Sequence, residues 1–77
     1  MNSTNDALHS EKFIVERKQF FFDLKENDRG RFLRVTEDVN GRRNAIVIPA
    51  AGLEDFRRAI GAVIERSNQL GGAVAQQ

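Results

Sequence analysis

From Lys12 to Lys25 the side chains alternate with a period of two over more than ten residues. Phe20, Phe22 and Leu24 fall on one side; Gln19, Phe21, Asp23 and Lys25 fall on the other. Upstream, Phe13, Val15 and Arg17 alternate with Lys12, Ile14, Glu16 and Lys18. A run of this period, rich in aromatic and β-branched residues, is the signature of a β-strand with two unlike faces. It reads as one long strand, or as two joined by a kink near Arg17 and Lys18.

Two turn signals divide the next stretch of chain. Asn27-Asp28-Arg29-Gly30 combines side chains that bond their own backbone with a glycine that accepts positive φ. Arg31 to Glu37 is the next strand, with Leu33 and Val35 on one side and Phe32, Arg34 and Thr36 on the other. Asp38-Val39-Asn40-Gly41 closes it, and Asn-Gly is the strongest short hairpin signal. Arg42 to Ile48 is a further strand, ended by Pro49, which has no amide proton for a ladder. The period then changes to 3.6. Leu53, Phe56, Ile60, Val63, Ile64 and Ser67 form one stripe of a helix over about 53–69. Glu54 and Asp55 complement its positive end, and Gly71-Gly72 stop it. The order is an antiparallel meander followed by one helix, an α+β arrangement. The expected geometry lays the helix over one sheet face, against Phe20, Phe22, Leu24, Leu33, Val35, Ile46 and Ile48. Gln19, Phe21, Asp23, Lys25, Phe32, Arg34 and Thr36 are left facing outward.

Size limits how far this can stabilise itself. Met1 to Ser10 and Gly71 to Gln77 are mostly polar and read as tails, which leaves residues 11–70 for the fold. A domain of ~60 residues buries only ~60% of its unfolded surface. Small scaffolds usually add disulfides, a metal or a partner subunit. The chain has no cysteine and one histidine, His9, so a disulfide, a thiolate metal site and a His-based metal cage are excluded. A partner subunit remains.

The same inventory bears on function. No Ser-His-Asp or Cys-His set can be assembled, no glycine-rich phosphate loop is present, and no enzyme is expected. Asp23 and Glu37 read as cross-strand partners of cations such as Lys25 or Arg34. No cofactor, metal or small-molecule substrate is expected. No apolar run reaches the ~20 residues that span a bilayer, and Met1 to Asp6 lack the basic start and apolar core of a signal peptide. The expected setting is cytoplasmic, with association with a nucleoid or nucleus left open.

Twelve Lys and Arg against eleven Asp and Glu give a net charge of +1, so any affinity for a polyanion must come from placement. Arg17 to Arg43 holds eight basic residues and five acidic ones, and arginine outnumbers lysine six to two. Arginine makes bidentate phosphate contacts and stacks on bases. Arg31, Phe32 and Arg34 stand together here, with Phe32 on the outward side by alternation. An exposed phenylalanine among cations is a stacking platform for bases whose phosphates the cations follow. Phe21 shares that side and has two readings, a stacking ring or a contact with a second subunit. A charged face of this kind is also, by default, ordinary solvated surface.

The stretch from Lys18 to Val35, KQFFFDLKENDRGRFLRV, resembles the PUR repeat of the purine-rich-element-binding proteins. The likeness lies in the run from Phe21 to Leu33, with Asp23, Lys25, Asn27, Gly30, Arg31 and Phe32 in place, and Phe56-Arg57 also fits. It extends over about residues 12–70. The resemblance implies four strands and a helix, with two repeats intertwined through their helices into a Whirly-like domain. The chain shows one repeat, so a homodimer is implied. It further implies binding of single-stranded DNA or RNA, with purine preference. By position, Lys25, Asn27 and Arg29 would be polar contacts, Phe32 the stacking wedge and Lys18 a further contact. Glu16 and Arg17 stand beside Lys18 where the family often has small or amide residues. A protein-interaction module of the same fold is the alternative.

Overall fold

A computed structural model describes residues 6–71 of the 77-residue chain. The expected four-stranded antiparallel sheet and C-terminal helix are present. The strands are β1 (His9–Val15), β2 (Lys18–Asn27), β3 (Gly30–Val39) and β4 (Arg42–Pro49), in the spatial order β1-β2-β3-β4. A short 3-10 turn, Ala50–Gly52, leads into α1 (Leu53–Leu70).

The long alternating run is two strands, not one. Val15 pairs with Lys18, so Glu16 and Arg17 form a two-residue hairpin loop with Glu16 at φ 58. The chain reverses here without a glycine, so the sequence shows only a kink at this point. The second hairpin pairs Asn27 with Gly30, and Gly30 takes φ 127. The third places Asn40 at φ 55 and Gly41 at φ 85, the paired positive φ values of a type I′ turn. β3 runs two residues past its expected end, because Asp38 and Val39 still pair with Arg43 and Arg42. β1 begins at His9, two residues inside the segment read as an N-terminal tail. The rest of that tail through Asn5, and residues 72–77 of the other, lie outside the described residues.

The register sorts the sheet into the two faces that alternation predicts. Phe22 opposes Val35 and Val35 opposes Ile46; Leu24 opposes Leu33 and Leu33 opposes Ile48. Phe13, opposite Phe20, joins this apolar face, its ring stacked on Phe20 at 5.3 Å between centroids. The other face carries Phe21, Asp23 and Lys25 beside Thr36, Arg34 and Phe32.

The helix does not cover the apolar face. Leu53, Phe56 and Ile60 in its first turns come over the sheet, where they line a groove with Phe13, Phe20, Phe22, Leu33, Val35, Ile46 and Ile48. Beyond them the stripe is open: Phe56 is 45% exposed, Ile60 52%, Val63 66% and Ile64 54%. No helical residue is buried. Among the described residues only Ile48 and Thr36 are buried. Periodicity reports that an apolar stripe exists; it does not say what lies on it. The dimensions agree, with a radius of gyration of 15.1 Å against about 11 Å for a compact chain of this length. The longest axis is 50 Å, beyond the ~33 Å of a ten-residue strand.

Candidate nucleic-acid interface

The β2–β3 hairpin builds one end of the outward face. Lys25 and Phe32 are direct cross-strand partners, Asp23 opposes Arg34, and Arg34 opposes Val47. Lys25, Glu26, Asn27, Asp28, Phe32, Arg34 and Val47 line a concave depression of about 510 Å³. Phe32 is half-buried. It lines this depression beside Val47 and the charged side chains, outside the apolar groove of the other face. Val47 alternates with Ile46 and Ile48, and its register with Arg34 is what brings it into the site.

The hairpin tip is held by its own side chain. The Arg29 backbone N–H donates to Asn27 Oδ1 at 2.9 Å. This bond closes the turn and fixes the side-chain amide of Asn27, leaving its NH₂ group to donate outward. Asp28 and Arg29 keep negative φ, and Gly30 takes the positive value that brings the chain back into register. Around Gly30 nothing lies within 4 Å of where a Cβ would stand, so conformation, not space, demands the glycine.

The expected contact residues divide by face. Lys25, Asn27, Phe32 and Arg34 come together in the depression, and Arg29 stands at the turn that borders it. Among the described residues, none of Lys25, Arg29, Arg31 and Arg34 pairs with a carboxylate. Their charges face solvent. Lys18 shares parity with Phe20 and Phe22, lies on the apolar-face side, and pairs with Glu37 at 3.2 Å. Arg31 shares parity with Leu33 and opposes Glu26. Neither lines the depression. Of the two carboxylates read as cross-strand partners, Glu37 takes Lys18, and Asp23 accepts from the Ser10 hydroxyl at 2.7 Å.

Phe21 faces outward one step along the sheet, and two cations flank its ring. Lys12 Nζ stands 5.8 Å from the ring centroid and Arg43 Cζ 5.2 Å. Arg43 Nε also donates to Asp38 Oδ2 at 2.8 Å, and the other oxygen of Asp38 accepts from the Gly41 backbone N–H at 3.1 Å. The hydrogen bond from Arg43 holds the Asp38 carboxyl below the ordinary carboxylate range. Among the described residues no cluster of three metal-ligating side chains occurs, and no helix is long and apolar enough to cross a membrane.

Comparison with known proteins gives the family. The family model described as "PurA ssDNA and RNA-binding protein" matches residues 1–74. The chain is 44% identical over 51 residues to Transcription factor Pur-alpha 1 of Arabidopsis thaliana, a match covering 66% of this chain and 17% of that protein. It is 41% identical over 66 residues to the human Transcriptional activator protein Pur-alpha, covering 77% of this chain and 20% of the relative. The human Transcriptional regulator protein Pur-beta is 38% identical over 74 residues, covering 77% and 24%. The chain thus spans about a fifth of the length of the curated relatives it matches. With a family match over nearly its whole length and the PUR run set on the β2–β3 hairpin, the chain belongs to the PurA family of single-stranded DNA- and RNA-binding proteins.

Proposed function

We propose that this chain binds purine-rich single-stranded DNA or RNA on its outward sheet face, as a homodimer. The observation that carries the reading is the Phe32 ring in one depression with Lys25, Asn27 and Arg34, where neither cation pairs with a carboxylate although Glu26 and Asp28 also line it. A base that stacks on Phe32 gains ~1–3 kcal/mol whatever its identity. Lys25, Arg29 and Arg34 neutralise the adjoining phosphates, and the Asn27 NH₂ donates to an acceptor on a base edge. A duplex offers no exposed ring face to Phe32, so the site discriminates by strandedness first.

The apolar side supports the second half of the reading. An open groove on the sheet and an open stripe on α1 are complementary surfaces in one chain. A second copy that laid its helix over this groove would cover both at once, which is the intertwined Whirly-like arrangement. Exposed apolar area of this extent on a folded chain marks an interaction surface.

The test is a fluorescence titration with matched single-stranded DNA, single-stranded RNA and duplex at two salt concentrations. The expected result is tight binding of single strands, weaker binding of duplex, and a loss of affinity with salt. Equal binding of duplex and single strand, or no binding at low salt, would overturn the reading. In the second case the same fold would serve as a protein-docking module.

A further inference from the structure

Asn40-Gly41 is the one asparagine–glycine pair in the chain. An asparagine followed by glycine can lose its side-chain amide. The backbone nitrogen of the glycine attacks the side-chain Cγ and a new C–N bond forms. The bond from Cγ to the side-chain nitrogen breaks, and ammonia leaves carrying the proton that the backbone nitrogen gave up. One water molecule then opens the resulting succinimide ring. Opening at one carbonyl gives aspartate. Opening at the other gives isoaspartate, whose backbone runs through Cβ and is longer by a methylene. Glycine favours the attack because it sets no Cβ beside the nitrogen. The other asparagines are followed by Ser3, Asp6, Asp28, Ala45 or Gln69, whose side chains hinder it.

The third hairpin offers this pair to water and restrains it at the same time. Asn40 and Gly41 are both exposed, and nothing lies within 4 Å of where a Cβ on Gly41 would stand. The attacking nitrogen, however, is engaged. Its N–H donates to Asp38 Oδ1 at 3.1 Å, and Asp38 is fixed in turn by Arg43 Nε on its other oxygen at 2.8 Å. Attack requires that nitrogen to shed its proton, and a carboxylate beside it stabilises the N–H and opposes the anion. The bond from Arg43 holds the Asp38 carboxyl below its ordinary range, which makes it a poor acceptor for the proton. We propose that Asn40 is a site of spontaneous deamidation and that Asp38, held by Arg43, is the latch that keeps the reaction slow in the folded chain. Conversion takes the formal net charge from +1 to neutral and sets a new carboxylate next to Arg42 and Arg43. Isoaspartate also lengthens the two-residue loop between Val39 and Arg42, the pair that closes the β3–β4 ladder.

The rate of conversion tests it. The folded wild type, the wild type unfolded in urea and Asp38→Ala are incubated in mildly alkaline buffer. Aspartate and isoaspartate at position 40 are then followed by peptide mapping with chromatography and mass spectrometry. The unfolded chain should convert at Asn40 faster than the folded one by roughly tenfold or more, the worth of one hydrogen bond to a charged acceptor. Folded Asp38→Ala should recover most of that difference. Asn27, Asn44 and Asn68 serve as internal references: they should stay intact in the folded variant, and circular dichroism checks that it keeps its sheet. A folded wild type that converts as fast as the unfolded chain would overturn the latch. So would an Asp38→Ala rate equal to that of the folded wild type. Conversion in the unfolded chain spread evenly over all four asparagines would overturn the site itself. None of these readouts depends on nucleic-acid binding, so the proposal stands or falls separately from the function proposed above.

Discussion

At the scale of single residues, stacking and charge separate cleanly. Phe32→Ala removes the ring and no charge, so affinity should fall by about 1–3 kcal/mol with an unchanged salt slope. Arg29→Ala removes a cation and no ring, so the slope should fall by ~0.7. Both are read from the same pair of titrations at two ionic strengths. The Asp38–Arg43 pair has a pH signature. The carboxyl of Asp38 is held below its ordinary range by the Arg43 hydrogen bond, so its contribution is fully present above the ordinary carboxylate range. It is lost as pH falls through the lowered value. Acid titration followed by the Asp38 carboxyl signal in NMR should show that lowered midpoint, and Arg43→Ala should return it to the ordinary range. Most of the site was legible at this scale because parity fixes a face: Phe32, Arg34 and Lys25 were placed outward by alternation, and the register keeps them there. Lys18 and Arg31 share parity with apolar neighbours; alternation alone assigns them to the other side. Lys12 and Arg43 were missed because their meeting over Phe21 depends on hairpins that align the strands, which no local pattern displays.

At the scale of elements, turns explain what could be read and what could not. Asn40-Gly41 announced its hairpin because both residues accept positive φ at little cost. Glu16-Arg17 gave no such signal, since Glu16 adopts φ 58 against its own preference. Replacing it removes that cost: Glu16→Gly should raise stability by up to about 1 kcal/mol in urea denaturation. Gly30→Ala should do the reverse at φ 127, lowering stability by about 1–2 kcal/mol and weakening strand binding through the displaced Arg29. The open space around Gly30 makes backbone conformation, not a clash with a neighbour, the cause. Helix α1 shows the opposite limit. Its stripe was plain from the sequence, yet what would cover it was not, because apolar periodicity is the same for an intramolecular and an intermolecular contact.

At the scale of the whole molecule, the described residues bury little, which is what the proposed homodimer would remedy. Ile48 and Thr36 are the only buried residues among those described, and the groove and the helix stripe lie open together. Sedimentation velocity at micromolar concentration should show twice the 8.7 kDa chain mass. Ile60→Asp puts a charge into the surface that the second copy would cover, and should yield an unfolded or non-associating chain by sedimentation and circular dichroism. A folded wild-type monomer at that concentration would exclude the homodimer. It would leave the outward face intact, because the two surfaces lie on opposite sides of one sheet.

The most direct measurement is a backbone amide NMR titration of the folded protein with a purine-rich single strand. The largest shifts are expected on Lys25, Asn27, Arg29, Phe32 and Arg34, with Phe20, Phe22, Val35 and Ile46 little changed. Shifts concentrated on the apolar groove and α1, with the β2–β3 hairpin silent, would contradict binding on the outward face.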